Sequence, residues 1–566
     1  MATSTLDKDA ETVYHVGHSP LASNYLAEAN TLDQNDAELA QTREGEFGMK
    51  RDLKPRVVSM IAIAGTLGTG LFLGTGSSLI KGGPVGLWLG YTFMGLLVGS
   101  MMMCLGEMMC FAPNVGGFIA MGTQYIDPAA GFMLGISCVI GTGLTVASEP
   151  TAIGILATFW DKNTSHVYIY LIATLALMII MNIVGVKYFG EIEFAFAILK
   201  IALIIGLIIF GLIADLGGIP PKHEYIGGRY WRDEPFNDSF LDLTPVSKAR
   251  FLGFWSVFTG AAFSYAGIET LAILAGEAYN PRKTMLVAVR TVFYRIVGIY
   301  VLSTLIIGLV ISQHSEDLTN GVDEGDGTAA ASPFVIVCKQ MGVKALPSIV
   351  NAVSKVITSA LSAGNENFYG CSRALMSLAR QGSLPKFFLR TNKSGIPYFG
   401  VLVATAFGLL CFLSVSNGSN QAFTWLSNLT ALNGLITWIT ICAAYVRFYH
   451  AMKAQGIDRK KLPFVGWFQP YLAYVCIFFF TTILIFSGFS VFIGGFDSVN
   501  FVASYITIPF MTLVYIGYKF WRRTKYIPLD EVDLSIGPAE ALRGTRYDLH
   551  SYGQTFVYAE EEEKNY

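Results

Sequence analysis

Two hydrophobic segments of this chain are interrupted by glycine-rich turns at matching places, and these turns could do binding chemistry. Segment 57–80 contains Gly65-Thr66-Leu67-Gly68-Thr69-Gly70, and segment 251–275 contains Ser264-Tyr265-Ala266-Gly267-Ile268-Glu269. A helix that crosses lipid satisfies its own backbone polar groups, so a break persists where the freed groups line a cavity or bind something. For either segment alone, the alternative is that its glycines allow close packing against a neighbouring helix. The matched pair favours a transport site.

The two breaks offer complementary backbone groups. After Gly68-Thr69-Gly70 the chain is expected to resume as a helix at Leu71, so the amides of this turn form a helix amino-terminus that suits a carboxylate. In the second break, carbonyls that lose helical partners become acceptors for an ammonium group, namely those around Phe263, Ser264, Tyr265 and Ala266. Together the breaks predict recognition of an α-amino acid, whose side chain would meet the third, eighth and tenth hydrophobic segments.

Ionisable residues inside hydrophobic segments are a second indication of function. Lys200 lies within the fifth segment, where an unpaired ammonium is costly, so we expect a role in ion coupling or site structure. The alternative is that Lys200 reaches the membrane interface. Glu149 and Glu269 could exchange protons, bind part of the substrate or make a fixed structural hydrogen bond. Other carboxylates are expected nearer the cytoplasmic side in structural or gating roles: Glu107, Glu191 and Glu193.

Composition indicates an all-α polytopic membrane protein. The 566 residues are 53% hydrophobic and only 14% charged, with a mean hydropathy of +0.49. Because a span needs roughly 20 apolar residues, the sequence predicts about twelve spans. They begin near Val57, Pro84, Ala129, Val167, Ile192, Phe251, Thr291, Ser348, Tyr398, Phe423, Tyr471 and Phe501.

The distribution of charge predicts the topology. Basic residues precede the first span and occur in the connections that follow the sixth, eighth, tenth and twelfth spans. The positive-inside rule therefore places both termini in the cytoplasm. The opposite connections are acidic or mixed, and they hold glycosylation sequons at Asn163, Asn237 and Asn417.

The longest predicted external connection separates two halves of the chain. Each half opens with a broken segment, as expected of an inverted repeat of five spans that forms the site at the repeat interface. Short amphipathic helices are expected along the membrane surface near residues 110–127 and 329–346. The predicted organisation is a cytosolic tail at 1–56, a first repeat at 57–214, an external loop at 215–250, a second repeat at 251–446, a cytosolic loop at 447–469, spans eleven and twelve at 470–523, and a cytosolic tail at 524–566.

Several classes of function are excluded by composition and spacing. The parts outside the spans are too small for an enzyme domain, and the seven histidines form no paired constellation within the spans. The eight cysteines show no CxxC spacing, so we expect neither a disulfide framework nor a metal site. Residues 1–49 are polar and have no apolar h-region, so we expect no cleavable signal peptide. We expect no cofactor and no nucleic-acid partner.

Short motifs resemble a known family. The run Gly68-Thr69-Gly70-Leu71-Phe72 resembles the Gly-Ser/Thr-Gly-Ile-Phe signature of the amino acid–polyamine–organocation superfamily. Further runs that carry a resemblance are Lys50-Arg51-Asp52-Leu53-Lys54, Gly106-Glu107-Met108, Ser362-Ala363-Gly364-Asn365 with Ser372-Arg373, and Pro385-Lys386. With these runs in order, the chain is similar from about residue 50 to 523 to fungal, yeast-type amino acid permeases. The resemblance implies a leucine-transporter-type fold with discontinuous spans one and six, and proton-coupled uptake across the plasma membrane by alternating access.

The resemblance also implies roles for particular residues. It assigns the Thr69 and Gly70 amides to the substrate carboxylate and the ring of Phe263 to a lid. The ammonium of Lys200 would stand where sodium-coupled relatives hold a sodium ion. The carbonyls assigned to the substrate amino group are those of Thr66, Phe263 and Ala266.

Two departures leave the substrate open. The third span reads Ser137-Cys138-Val139 where many relatives have an aromatic run, and Pro150 follows Glu149. Neutral amino acids are the default, because the two breaks address only the backbone groups of an amino acid. Basic substrates would need an extra carboxylate, which Glu149 could supply, and acidic ones an extra cation.

A sensor (transceptor) with little or no net transport is the alternative function, and the short tails favour transport over it. The expected partners are an amino acid, a proton and the lipid bilayer. A ubiquitin-ligase adaptor at the cytosolic tails is a further candidate partner, since lysines there could be modified: Lys8, Lys50 and Lys54.

Overall fold

Every regular element that the computed structural model describes is a helix. The structure describes Met60 and residues 67–112, 117–157, 161, 163, 166–183, 186–220, 223–276, 281–323, 332–342, 359–392 and 395–534. The amino-terminal tail, the carboxyl-terminal residues 535–566 and the residues Gly65 and Thr66 of the first break lie outside these ranges. The all-helical prediction is confirmed for the described part of the chain.

The first two spans are joined by a sharp turn at Gly83. A π-helical turn, Gly70–Gly74, leads into the helix Thr75–Phe111, which is interrupted where Gly83 has φ +76° and ψ 173°. A side chain there would be strained, and its Cβ would lie 2.6 Å from the Cα of Phe236. Residues 75–82 therefore complete the first span and residues 84–111 form the second.

The remaining predicted spans coincide with helices. Several consist of consecutive helical pieces, and the eighth is described only from Ser359 onward. In order they are Pro128–Ala157; Val167–Ile183; Val186–Asp215; Val246–Tyr265 with Ile268–Thr270 and Leu271–Gly276; Pro281–Arg295 with Ile296–Val301 and Leu302–Val310; Ser359–Arg380; Tyr398–Gly408 with Leu409–Phe412 and Leu413–Asn417; Ser419–Ala454; Tyr471–Phe486 with Phe489–Phe492; and Ser498–Tyr505 with Thr507–Arg522.

Eight helical stretches among the described residues are long and apolar enough to cross a membrane, and a bent pair forms a ninth. The fourth span, Val167–Ile183, is apolar but shorter. The prediction of a membrane protein with many spans is confirmed, while the count of twelve stays a prediction.

Shorter helices lie in the connections: Gly117–Tyr125, Arg229–Asp233, Phe240–Asp242, Glu316–Asp323, Pro333–Gln340, Lys386–Leu389 and Arg459–Lys461. The two that were expected along the membrane surface are Gly117–Tyr125 and Pro333–Gln340. Both bury most of their residues against the bundle, and the ring of Phe334 lies 6.0 Å from that of Phe72 in the first span. These helices therefore pack against the spans instead of lying free on lipid.

The spans differ sharply in burial. In the most apolar window of Gly70–Phe111, 83% of residues are buried, against 28% for Gly190–Asp215 in the fifth span. The third span packs along the eighth and tenth, and the second along the sixth. The broken spans therefore lie in the centre of the bundle, while the fifth and ninth present isoleucine and leucine outward.

Candidate functional site

The sixth span is discontinuous at the predicted place. Its first helix ends at Tyr265, Ala266 is extended with ψ 147°, and Gly267 is left-handed with φ +85°. One 3-10 turn follows before the chain becomes α-helical again at Leu271. Because a left-handed residue is inexpensive only for glycine, Gly267 allows the reversal that frees backbone groups here.

The first break touches the second. Leu67 and Gly68 are not helical, and the helix starts at Thr69. A Cβ on Gly70 would lie 2.8 Å from both the Cα and the Oγ of Ser264. Only glycine therefore lets the two broken spans approach this closely. Thr66 lies outside the described residues.

Lys200 is bonded to the first break. Its side chain is 1% exposed, and its Nζ donates to the carbonyl oxygen of Leu67 across 2.9 Å. The ammonium therefore points into the protein, and the alternative that it reaches the membrane interface is wrong.

Glu149 lies against the amide that was expected to bind the substrate carboxylate. The Thr69 amide nitrogen donates to Glu149 Oε1 at 3.4 Å, and a Cβ on Gly68 would overlap the same oxygen. The carboxylate of Glu149 also faces Lys200. A helix amino-terminus and a cation thus both face the carboxyl group of Glu149.

Two of the carbonyls predicted to bind an ammonium group have protein partners. The Phe263 oxygen accepts from the Ala266 amide at 3.2 Å, and the Ser264 oxygen accepts from the Tyr300 hydroxyl at 2.7 Å. Since a carbonyl oxygen has two lone pairs, Phe263 retains acceptor capacity. The Phe263 ring packs edge-on against Phe423 with centroids 5.7 Å apart.

Glu269 lines a small cavity beside the second break. Trp438 Nε1 donates to its Oε2 at 3.0 Å. The spans that were expected to meet the substrate side chain are the ones that form the cavity walls. The lining residues are Ser137, Cys138, Gly141, Thr142 and Thr145 from the third span, Asn367 from the eighth, Thr430, Asn433, Gly434 and Thr437 from the tenth, and Ala266, Gly267 and Glu269 from the break.

Among the described residues close to Lys200 and Ser264, sequence reasoning missed two that are buried and ionisable. Arg295 of the seventh span is fully buried, and its Nη2 donates to the Tyr300 hydroxyl at 2.9 Å, which in turn donates to Ser264. Glu366 of the eighth span is also buried and faces Arg295 and Lys200. The rule that identified Lys200, a charge within an apolar segment, would have found Arg295, and Glu366 directly follows the Ser362–Asn365 run.

The carboxylates expected nearer the cytoplasmic side differ in their burial. Glu191 is exposed, whereas Glu193 is fully buried. Glu193 accepts from Ser362 Oγ at 2.5 Å and from Asn365 Nδ2 at 2.6 Å. Asn365 Oδ1 accepts from Asn182 Nδ2 at 2.7 Å. This hydrogen-bonded network joins the fourth, fifth and eighth spans.

Glu107 forms a buried ion pair with the connection after the tenth span. Arg459 donates to its two oxygens at 2.6 and 2.8 Å, and the Gly466 amide donates to one of them at 2.9 Å. The hydrogen bonds that Arg459 donates to Glu107 hold the pKa of Arg459 above its ordinary range. The structural role expected of Glu107 agrees with this geometry.

Comparison with known proteins identifies the family. The family model described as "Amino acid permease" matches residues 57–528. The chain is 39% identical to the lysine-specific permease of Saccharomyces cerevisiae, over 86% of this chain and 78% of that protein. It is 37% identical to the dicarboxylic amino acid permease of the same yeast, over 86% and 79% of the two chains. It is 36% identical to the proline-specific permease of Emericella nidulans, over 90% and 93%.

A solved structure shares the fold. A mutant manganese transporter from Eremococcus coleocola aligns with a TM-score of 0.51 at 13% identity, covering 82% of this chain and 93% of the other. At this identity the similarity concerns the fold alone. The family match and the relatives each span most of the chain, and the chain therefore belongs to the amino acid permease family.

Proposed function

We propose that this amino acid permease takes amino acids into the cell across the plasma membrane together with protons, by alternating access. The observation that carries the proposal is the convergence of the Thr69 amide, Glu149 and Lys200 on the first break, in contact with the second. Such a site offers both a position for a carboxylate and groups that can exchange a proton.

The two breaks would bind the backbone of the substrate. The amides of Thr69 and Gly70 would hold its carboxylate, because they form a helix amino-terminus. The carbonyls of Phe263 and Ala266, with that of Thr66, would accept from its ammonium group. Gly68, Ser264 and Gly267 would serve by keeping the two backbones close, and the substrate side chain would enter the cavity beside Glu269.

Proton coupling would follow because the substrate carboxylate and Glu149 compete for the amide of Thr69. A substrate carboxylate bound at Thr69 would displace Glu149 or lie beside it. Two like charges in one buried site disfavour the ionised form of both, so Glu149 would take up a proton as the substrate binds. The positive charge of Lys200, which is bonded to Leu67, would attract an anion to the site. Glu269 would fix the second break by accepting the hydrogen bond from Trp438.

Alternating access would move the bundle of spans one, two, six and seven against the rest. The left-handed Gly267 and the turn at Leu67 and Gly68 are the places where each broken span can change direction. The ion pair between Glu107 and Arg459 joins the second span to the connection after the tenth, so it would stabilise one arrangement of the two groups.

The test is uptake of twenty radiolabelled amino acids by cells that lack their own permeases, at pH 5 and pH 7.5. The wild-type protein and a Lys200→Ala variant are compared at equal surface abundance. Accumulation that is greater at pH 5 and lost in the variant supports proton-coupled import and identifies the substrate. Binding at the cell surface without uptake of any amino acid would overturn the proposal in favour of a sensor.

A further inference from the structure

Glu366 is a buried carboxylate with no part in the transport cycle described above. Its side chain lies in the eighth span and is 1% exposed. Neither of its oxygens has a hydrogen-bond partner among the described residues. Glu193, which lies nearby, instead accepts a side-chain hydrogen bond on each oxygen. Glu193 thus has a donor on each carboxylate oxygen, whereas no donor of the described residues lies within hydrogen-bond geometry of Glu366.

The charged groups that face Glu366 come from two spans. Lys200 and Glu193 face it from the fifth span, and Arg295 faces it from the seventh. Glu149 of the third span faces Lys200 in turn. Within this described cluster three carboxylates share two cations. Because like charges in a buried site disfavour one another's ionised forms, one carboxylate of the cluster can take up a proton.

Glu366 faces both of the cations that are bonded toward the two breaks. Lys200 donates to the carbonyl of Leu67 in the first break. Arg295 reaches the second break through Tyr300, whose hydroxyl donates to the Ser264 carbonyl. A change of charge on Glu366 would therefore alter the hydrogen bonds that reach the backbone of both broken spans.

The neighbouring hydroxyl of Thr270 distinguishes the two protonation states of Glu366. Thr270 belongs to the 3-10 turn of the second break and faces Glu366. Its hydroxyl hydrogen is donated to the Gly267 carbonyl at 2.5 Å, and while it makes that bond the hydroxyl accepts, and does not donate, toward Glu366. A protonated Glu366 carries an O–H that can donate to Thr270, and an ionised Glu366 does not.

We propose that Glu366 is a second proton station that couples the two breaks, and this inference rests on the proposed proton symport. Ionised, it attracts Lys200 and Arg295; protonated, it releases them and engages Thr270. A proton lost by the Glu149 carboxyl group and gained by the Glu366 carboxylate leaves the charge of the cluster unchanged. The proton then leaves Glu366 to water on the cytoplasmic side.

The test uses the full-length protein in liposomes with radiolabelled amino acids, the whole set of twenty serving as the probe. Glu366→Gln keeps the shape of the side chain and removes its protonation. We expect exchange of internal for external amino acid to persist in this variant, and accumulation driven by an acidic exterior to fall about tenfold or more. Accumulation equal to that of the wild type would overturn the inference.

The wild-type protein and a Glu366→Asp variant complete the test. If the wild-type protein accumulates no amino acid under the pH gradient, the proposed symport itself fails, whatever Glu366 does. If Glu366→Gln neither exchanges nor accumulates, Glu366→Asp decides, because it retains a titratable carboxyl group on a shorter side chain. Accumulation restored by the aspartate with a displaced pH profile supports the inference, and any other result for the aspartate overturns it.

Discussion

The ammonium of Lys200 donates a hydrogen bond to the carbonyl oxygen of Leu67, across 2.9 Å and 133 residues of sequence. A fully buried cation of the fifth span thus holds the backbone where the first span is broken. Because an unpaired buried ammonium is costly, this bond explains why a lysine can lie within an apolar segment. It also links any change in the charge of Lys200 to the geometry of the proposed substrate site.

Replacing Lys200 by methionine should abolish accumulation while the protein still reaches the cell surface. The methionine side chain has similar length but offers neither a charge nor a hydrogen bond to Leu67, so we expect uptake at pH 5 to fall about tenfold or more. Lys339→Met is the matched control, because Lys339 is largely exposed and pairs with Asp317 instead of with a backbone group of either break. Equal uptake by the two variants would count against a coupling role for Lys200.

Replacing Gly68 by alanine should impair transport by displacing the Glu149 carboxyl group from the first break. The added methyl group would overlap Glu149 Oε1 and lie 3.0 Å from the Cβ of Ala363. We expect initial uptake rates to fall by about tenfold or more, since the break packs closely on both neighbours. In Gly206→Ala, the control in the fifth span, the methyl group would meet nothing within 4 Å. Normal transport by Gly68→Ala would mean that Glu149 does not lie against this turn.

Replacing Arg459 by alanine should destabilise the fold. The change leaves the fully buried carboxylate of Glu107 without its cation, which costs about 3–5 kcal/mol when one partner of a buried pair is removed. The measurement is the apparent unfolding temperature in detergent. Adding Glu107→Gln to Arg459→Ala should recover part of the loss, because a neutral amide tolerates burial better. A single variant as stable as the wild type would show that the ion pair contributes little.

The pH response should not come from carboxylates on the predicted external side. Hydrogen bonds from Arg250 hold the pKa of Asp238 below its ordinary value, and donors at Asn500 do the same for Asp497. A lowered pKa means that the charge is fully present above the unfolded value of about 4 and is lost only as the pH falls below it. Both groups therefore stay ionised at pH 5 and at pH 7.5.

Asp238→Asn and Asp497→Asn should accordingly leave the ratio of uptake at pH 5 to uptake at pH 7.5 unchanged. The ratio is measured for each variant beside the wild type in the same cells. A ratio that falls toward one in either variant would place the titrating group at the surface and not in the buried cluster.

Local signals account for what the sequence predicted well. Glycines such as Gly70 and Gly267 mark broken helices because few other residues permit the close approach or the left-handed backbone observed there. Lys200 can be identified from the sequence because a charge within an apolar segment is costly and is retained where it has a partner or a function. The spans themselves follow from the length of apolar runs, which the bilayer thickness dictates.

Contacts between distant segments account for what the sequence could not supply. That Glu149 would lie on the Thr69 amide depends on the rotation of the third span, which its nearly uniform apolar pattern does not reveal. The same holds for Tyr300, which bonds a carbonyl of the second break 36 residues earlier. The surroundings of Glu366 likewise depend on the convergence of the fifth, seventh and eighth spans, which no local pattern of the sequence specifies.

The most direct test of the proposed mechanism is the pH of the medium around cells when a transported amino acid is added. Cells that express the wild-type protein should take up protons with the amino acid, so the lightly buffered medium should become alkaline. Cells that express Lys200→Met at equal surface abundance should show no such change. Amino acid uptake by the wild type without alkalinisation would contradict proton coupling at the two breaks.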